Sequence, residues 1–195
     1  MSSRTKNKST MDTFKNLPWL WIVVCVVGFI VGLFVVHQFG SAIFPSSVES
    51  VRKTDKSMKE VTLHFVSGDG KHLTAEFSAV RRGSLEDEIF GVMEDLIKGS
   101  GGALDPVMPV GTRILGVKVD GNTALVDFSF HLKNKHWGGS TAELLTVYSI
   151  VNSVVFNFKS IEKVQILIEG ERFKTLSGHI KLDKPLGANR EMIEG

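Results

Sequence analysis

Cysteine is almost missing from this sequence: Cys25 is the single one in 195 residues. No disulfide can form within the chain, and the cysteine-rich zinc patterns are excluded. Charge is missing between Leu17 and Val36, where LPWLWIVVCVVGFIVGLFVV contains no Asp, Glu, Lys, Arg or His. Several motifs are also lacking. The sequence has no G-x-S-x-G elbow and no H-E-x-x-H or H-x₃-H pair. The glycine-rich Gly99-Ser100-Gly101-Gly102 is followed by no G-K-[ST], so it lacks the parts that cradle phosphate and reads as a helix stop and loop. An excess of positive charge is absent too. Residues 1–16 carry +3 of the total +2, leaving −1 for residues 17–195, which excludes the basic footprint of a nucleic-acid binder.

The uncharged run is long enough to cross a bilayer: at about 1.5 Å per residue it spans roughly 30 Å. Trp19 and Trp21 stand at its start, where indoles favour the headgroup region, and Pro18 falls in the first turn. A cleaved signal would be shorter, and HQFGSAIFPSS after the run has no A-x-A pattern. Cys25, preceded by Val23 and Val24 and followed by more apolar residues, does not fit a lipid-attachment site. Arg4, Lys6, Lys8 and Lys15 precede the run against only Asp12, whereas Arg52 and Lys53 follow it at a distance. This charge balance places the N-terminus inside and the rest outside. The expected organisation is a basic cytoplasmic tail (1–16), a transmembrane anchor (17–36), a juxtamembrane linker (37–59), a domain (60–185) and a C-terminal tail (186–195).

Within the domain, Val61, Leu63 and Phe65 alternate with Thr62 and His64 as a strand with one buried face. Gly68-Asp69-Gly70 turns the chain into a returning strand from His72 to Arg82, with Leu73, Ala75 and Phe77 as its apolar side. Ser84 and Asp87 form a capping box for a helix whose Leu85, Ile89, Met93 and Leu96 share a face and which Gly99 ends. A second hairpin turns at Asp120-Gly121-Asn122. A second helix is expected to open on a Ser140/Glu143 capping box and to lie centrally, with Leu144, Val147, Val151, Val154 and Phe158 as its stripe and Leu145 and Ile150 widening it. VQILI at 164–168 suits an interior strand, and Phe173 to Leu182 is expected as a last edge strand. The fold class is therefore α+β: a two-layer mixed sheet with two helices in the order ββ-α-ββ-α-β(β), preceded by one transmembrane helix.

Val61–Phe65, Pro109-Val110-Gly111-Thr112, Ala124-Leu125-Val126-Asp127-Phe128-Ser129, Gly139-Ser140-x-x-Glu143, Val147-Tyr148-Ser149-Ile150-Val151-Asn152, Val164–Gly170 and Leu176-Ser177-Gly178-His179 occur in this order. Together they make the chain resemble the GerMN domain of bacterial sporulation, spore-germination and other cell-envelope proteins. The resemblance spans roughly residues 60–185. It implies an extracytoplasmic, non-catalytic domain of a membrane protein or lipoprotein, acting in envelope assembly or peptidoglycan-associated complexes. It also implies a fold similar to small ring-building modules that form homo-oligomers. This chain departs from many members in having a single copy, and a membrane helix where they carry a lipid-attachment cysteine.

Two functional readings compete. Lys133, Lys135, His136 and Trp137, in the expected loop 130–139, mix positive charge with an exposed aromatic and form the candidate binding set. The bland alternative makes Trp137 a lid over the core. Binding would use this loop or a sheet edge. Asp127, Ser129 and a loop histidine, His131 or His136, could instead form the relay of an envelope hydrolase, but a triad is defined by geometry and not by order. A ligand sensor is a third possibility. The other histidines of the domain, His64, His72 and His179, read as solvated strand or loop residues, with His64 and His72 able to approach across the first hairpin. No metal or cofactor is expected. The partners expected are the membrane, envelope proteins or peptidoglycan, and no nucleic acid. The place expected is the bacterial cytoplasmic membrane, with the domain outside.

Overall fold

The computed structural model describes residues 25–31, 56–101 and 104–193. The chain divides into two units, residues 1–54 and 55–195. In the first, residues 25–31 are helical and exposed; the rest of the expected anchor, the basic tail and the linker up to residue 55 lie outside the described residues. Among the described residues no helix is long and apolar enough to cross a membrane.

The second unit runs β1 (Met58–Val66), β2 (Leu73–Arg81), α1 (Leu85–Lys98), β3 (Ile114–Asp120), β4 (Thr123–Phe128), the single turn α2 (His131–Asn134), α3 (Ser140–Val155), β5 (Lys163–Ile168) and β6 (Leu186–Gly187). A 3₁₀ turn follows at Arg190–Met192. The α+β class holds, but the strands form two sheets: an antiparallel β1-β2 hairpin, and a four-stranded sheet of order β3-β4-β5-β6. Within the second sheet β4 and β5 are parallel, joined through α3, and the other neighbours are antiparallel.

Local chemistry explains most of the elements. At α1 the Ser84 hydroxyl accepts the Asp87 N–H, and the Asp87 carboxylate accepts the Ser84 N–H in return, completing the expected capping box. Gly99, at φ 94°, closes the helix with its N–H on Asp95 O. Gly121, at φ 58°, supplies the positive φ that the tight β3-β4 connection needs. The core joins Val61, Leu63 and Phe65 of β1 with Ile89, Val92, Met93 and Leu96 of α1. Ala124, Val126 and Phe128 of β4, Val147, Ile150, Val151 and Val154 of α3, and Val164, Ile166 and Ile168 of β5 complete it. Each of these Val, Leu, Ile, Phe and Met side chains, fully buried, contributes about 1.5–3 kcal/mol. α3 is buried on nearly every side, as a central helix must be.

Four sequence expectations change. On β2, Ala75, Phe77 and Ala79 face solvent, and Thr74, Glu76 and Ser78 turn inward. The inner face of β2 meets the polar flank of α1: Ser78 Oγ donates to Asp95 at 2.8 Å, and Glu76 accepts the Ser100 hydroxyl and the Gly101 N–H. Phe173 to Leu182 forms no strand: the N–H groups of Leu176, Gly178 and His179 bond side chains and that of Leu182 bonds Lys174 O within the segment; β5 is bordered by Leu186–Gly187. Residues 186–193, expected as a tail, belong to the domain: Asn189 exchanges two hydrogen bonds with the Asn152 side chain, and Ile193 forms a bridge with Leu73. Loop 130–139 contains α2, whose Leu132 is buried.

Among the described residues the outer edge of β1 pairs with no named strand and is met only at Val66, by an isolated bridge to Asp105. Side chains of α3 and of Asn157, in the turn just past its end, take a strand's place: Asn157 Oδ1 accepts the Thr62 N–H at 2.8 Å and Asn157 Nδ2 donates to Thr62 O at 2.6 Å. Ser153 Oγ accepts the His64 N–H at 3.0 Å, and Ser149 Oγ donates to His64 O at 2.5 Å. Buried backbone groups need partners, and three polar residues spaced four apart supply them.

Candidate functional site

The residues of the candidate binding set have separate tasks. Lys133 extends from α2 to donate to the carbonyls of Leu176, at 3.1 Å, and Thr175, at 3.4 Å, and lies 5.4 Å from the Phe173 ring centroid. It ties the 173–176 segment down and is half-buried. Lys135 is exposed at the end of α2.

His136 is structural. Its Nδ1 accepts the Gly138 N–H at 3.1 Å, so the proton sits on Nε2, which faces Thr146 Oγ1 at 3.1 Å. Ser177 Oγ lies 2.9 Å from the same Nδ1 and donates to it, and Thr146 Oγ1 donates to Val107 O at 2.8 Å. Burial holds the imidazole pKa below its usual value, against the opposing pull of Glu143. Trp137 stands beside it, the rings 5.7 Å apart, and is 57% exposed. It does not close over the core. It walls an open groove of about 460 Å³ with Val66, Pro106, Ala142 and Leu145, whose lining is mostly apolar.

Sequence reasoning missed the residue on which this region depends. Glu143 was expected as the partner of Ser140 in a capping box. In the structure Ser140 is the first helical residue, Gly139 occupies the cap at φ 85°, and no side chain caps the helix. Glu143 points the other way and is fully buried. Its Oε1 accepts the Leu176 N–H at 2.8 Å; its Oε2 accepts the His179 N–H at 2.8 Å and lies 3.1 Å from His179 Nδ1. Burial raises the carboxyl pKa, but the N–H groups of Ser177, His179, Ile180 and Leu176 outweigh it and hold the value below the usual range. The signal in the sequence was the Gly138-Gly139 pair, which leaves the helix start uncapped and frees the glutamate.

Ser177, His136 and Glu143 therefore gather a hydroxyl, an imidazole and a carboxylate. They do not make a nucleophilic relay. The second nitrogen of His136 faces a threonine instead of an acid, and both Glu143 oxygens are engaged by amides. The set suggested by order alone is not assembled either. Ser129 Oγ accepts the Arg113 N–H at 3.0 Å, Asp127 Oδ1 accepts the Gly170 N–H at 2.9 Å, and the His131 ring packs beside Gly111. His64 and His72 stay apart: His64 is buried against Ser153, and His72 pairs with Asp69 at 3.7 Å. Among the described residues no three His, Cys, Asp or Glu side chains are grouped to hold a metal ion.

Comparison with known proteins places this arrangement. The first GerMN domain of the sporulation protein GerM from Bacillus subtilis shares the fold at TM-score 0.54 and 21% identity, over 68% of this chain and 98% of that one. A Clostridium perfringens chain provisionally named a lipoprotein matches at TM-score 0.50 and 22% identity, over 69% of this chain and 89% of that one. The tandem GerMN domains of GerM match at TM-score 0.51 and 20% identity; there 67% of this chain covers 46% of the two-domain protein. No curated protein matches the chain. The profile of the family described as Germane, sporulation and spore germination, matches residues 62–174. With more than half of its length inside that match, and a fold shared with GerMN domains, the chain belongs to the Germane family.

Proposed function

We propose that this protein is a membrane-tethered, non-enzymatic interaction domain of the bacterial cell envelope, displayed outside the cytoplasm, that binds envelope proteins or peptidoglycan-associated complexes. One observation carries the reading. The polar side chains that could have done chemistry here are spent on holding backbone, while Trp137 is left exposed on the wall of an apolar groove. Exposed aromatics at the rim of a concave apolar surface are the usual anchors of binding sites. Thr146, also in the lining, has its hydroxyl engaged with Val107 O and His136, while Asp105 and Thr141 add polar groups to the otherwise apolar wall. The apolar run 17–36 and its basic flank support the tether and its orientation. A relative provisionally named a lipoprotein, and another named for sporulation, agree with an envelope setting. A tether confines the domain to one surface and raises its effective concentration for a partner fixed there.

The test is retention of the full-length chain, in detergent, on purified peptidoglycan and on solubilised envelope proteins, beside its Trp137→Ala variant. Specific retention that falls by about tenfold or more in the variant, the effect of losing an aromatic hot spot, supports the groove as the contact. Retention that the variant leaves unchanged moves the contact elsewhere, and no retention by either form removes the proposal.

A further inference from the structure

His136 holds two walls of the Trp137 groove at once. Its Nδ1 accepts the Gly138 N–H at 3.1 Å, a bond that closes a ring around Trp137, and its Nε2 faces the Thr146 hydroxyl at 3.1 Å. Trp137 and Thr146 both line the groove. A third tie comes from Ser177, whose Oγ donates to Nδ1 at 2.9 Å. Ser177 is itself fixed, because the N–H groups of Leu176 and His179 on either side of it bond the Glu143 carboxylate, each at 2.8 Å. Gly138 and Gly139 take φ of 79° and 85°, and no atom from beyond their neighbours lies within 4 Å of where a Cβ would stand on either. The turn that carries Trp137 is therefore held by hydrogen bonds to one imidazole and not by packing on its glycines.

Such a ring fits in one charge state. With its proton on Nε2, Nδ1 offers a lone pair to both donors. A second proton, on Nδ1, sets one N–H against another at Gly138, and only the Ser177 hydroxyl can turn to adapt. The charges around the ring are mixed. Glu143 of α3, fully buried, attracts the cation, and its Oε2 is shared with His179 at 3.1 Å. Lys133 and Lys135 of α2 oppose it. Asp105 is exposed in the groove lining, and Asp69, Lys71 and His72 flank Gly70, which also lines the groove, with Asp69 paired to His72. Burial of the ring outweighs the pull of Glu143 and keeps the imidazole neutral below its ordinary 6.5.

We propose that His136 is the positioning residue of the Trp137 groove and its proton switch: neutral, it holds Trp137 and Thr146 as walls of a formed site, and protonated at Nδ1 it releases the 136–138 turn, so that the groove lets go of its partner. The inference rests on the groove reading and names its regulation. The open turn takes its proton near 6.5 and the closed one lower, so the closed form is fully favoured above about pH 6.5. Below that, the ratio of open to closed rises by up to about tenfold per pH unit, until the closed form is protonated too.

The test uses the full-length chain in detergent with fluorotryptophan in place of tryptophan. It gives three fluorine NMR signals, for Trp19, Trp21 and Trp137, and the one missing from Trp137→Ala is that of Trp137. Between pH 7.5 and pH 4.5 this signal is expected to move with a midpoint below 6.5, in step with the ring-nitrogen signals of one histidine that is bare at Nδ1 when neutral. His136→Ala gives the acid position already at pH 7.5, which separates movement of the turn from mere charge beside the indole. His136→Asn, whose Oδ1 can accept the Gly138 N–H but takes no proton, restores the neutral position and holds it at every pH. Retention on the envelope fractions falls by about tenfold or more between pH 7.5 and pH 5, and in His136→Asn the ratio of the two becomes about one.

A Trp137 signal that does not titrate, titrates at or above 6.5, or titrates equally in His136→Asn overturns the proposal. So does retention of the unaltered chain that is the same at both pH values, an outcome that leaves the groove reading standing. If the variants do not fold, the two titrations of the unaltered chain decide: coincident midpoints support the proposal and separate ones overturn it. Absence of retention at every pH removes the groove reading and with it the release of a partner, whereas a titrating Trp137 signal still identifies His136 as the residue that positions it.

Discussion

Replacing Glu143 with glutamine tests whether a single buried carboxylate organises the 175–180 segment. The exchange keeps the size of the side chain and turns one oxygen into an NH₂ group. On the Oε1 side that group would face the Leu176 N–H, and on the Oε2 side the His179 N–H, each now 2.8 Å from an acceptor. Either way, two donors confront each other in a fully buried site. The lost charge assistance and one stranded N–H together cost about 3 kcal/mol, since hydrogen bonds to charged groups contribute about 1.5–3 kcal/mol and an unsatisfied buried donor costs about 1–3. At roughly 3 °C per kcal/mol for a chain of this size, the melting temperature falls by about 10 °C. The assay is urea and thermal unfolding of both forms between pH 7 and pH 3. The carboxyl pKa is lower folded than its ordinary 4.5, so the unfolded chain takes up the proton first as pH falls. The stabilisation is therefore complete above about pH 4.5 and is lost as pH falls through the depressed folded value. The gap between the two forms should narrow over that range. A loss below about 1 kcal/mol at pH 7, or a gap that does not change with pH, would refute the role assigned to Glu143.

His64, buried and held at a pKa of about 4 by desolvation, gives a second acid-sensitive limb at higher pH. The unfolded imidazole protonates near 6.5 and the folded one only near 4, so stability falls by roughly 3 kcal/mol as pH drops between them. His64→Leu removes that slope in the same titration. Asn157→Ala strips both backbone partners from Thr62 and should cost about 2–3 kcal/mol, with faster amide exchange at Thr62 as the local readout.

The parts of this fold that were legible in the sequence are those set by local chemistry. Alternation placed Val61, Leu63 and Phe65 inward, the Ser84/Asp87 pair marked the start of α1, and glycine-containing turns marked both hairpins. Where two uses of one residue competed, the sequence was ambiguous. Glu143 fits a capping box at short range, yet its carboxylate is worth more against three donors from 33 and 36 residues away. On β2 the apolar residues Ala75 and Phe77 suggested the inner face, but the flank of α1 opposite them is polar, and Ser78 and Glu76 match it. Ser149 and Ser153 stand buried among the apolar residues of α3. Only β1, some 85 to 89 residues earlier, shows why they are there. At the candidate site, the exposed Trp137 was legible as an aromatic in a polar stretch. The anchoring of its neighbours Lys133 and His136 to the 175–177 segment was not, because no local pattern reports contacts made more than 40 residues away.

The helix that finishes β1 also sets a timetable. Asn157 is made 95 residues after Thr62, so while the chain is being synthesised the first hairpin emerges long before the groups that will cover the outer edge of β1. During that interval the outer edge of β1 is bare, and the chain must reach past α1 and the second hairpin before it is closed. Contacts of this span slow folding and prolong exposure to misassociation. Any delay in release of the segment carrying α3 lengthens that interval, because α1, β3 and β4 must all be made before Ser149, Ser153 and Asn157 are available.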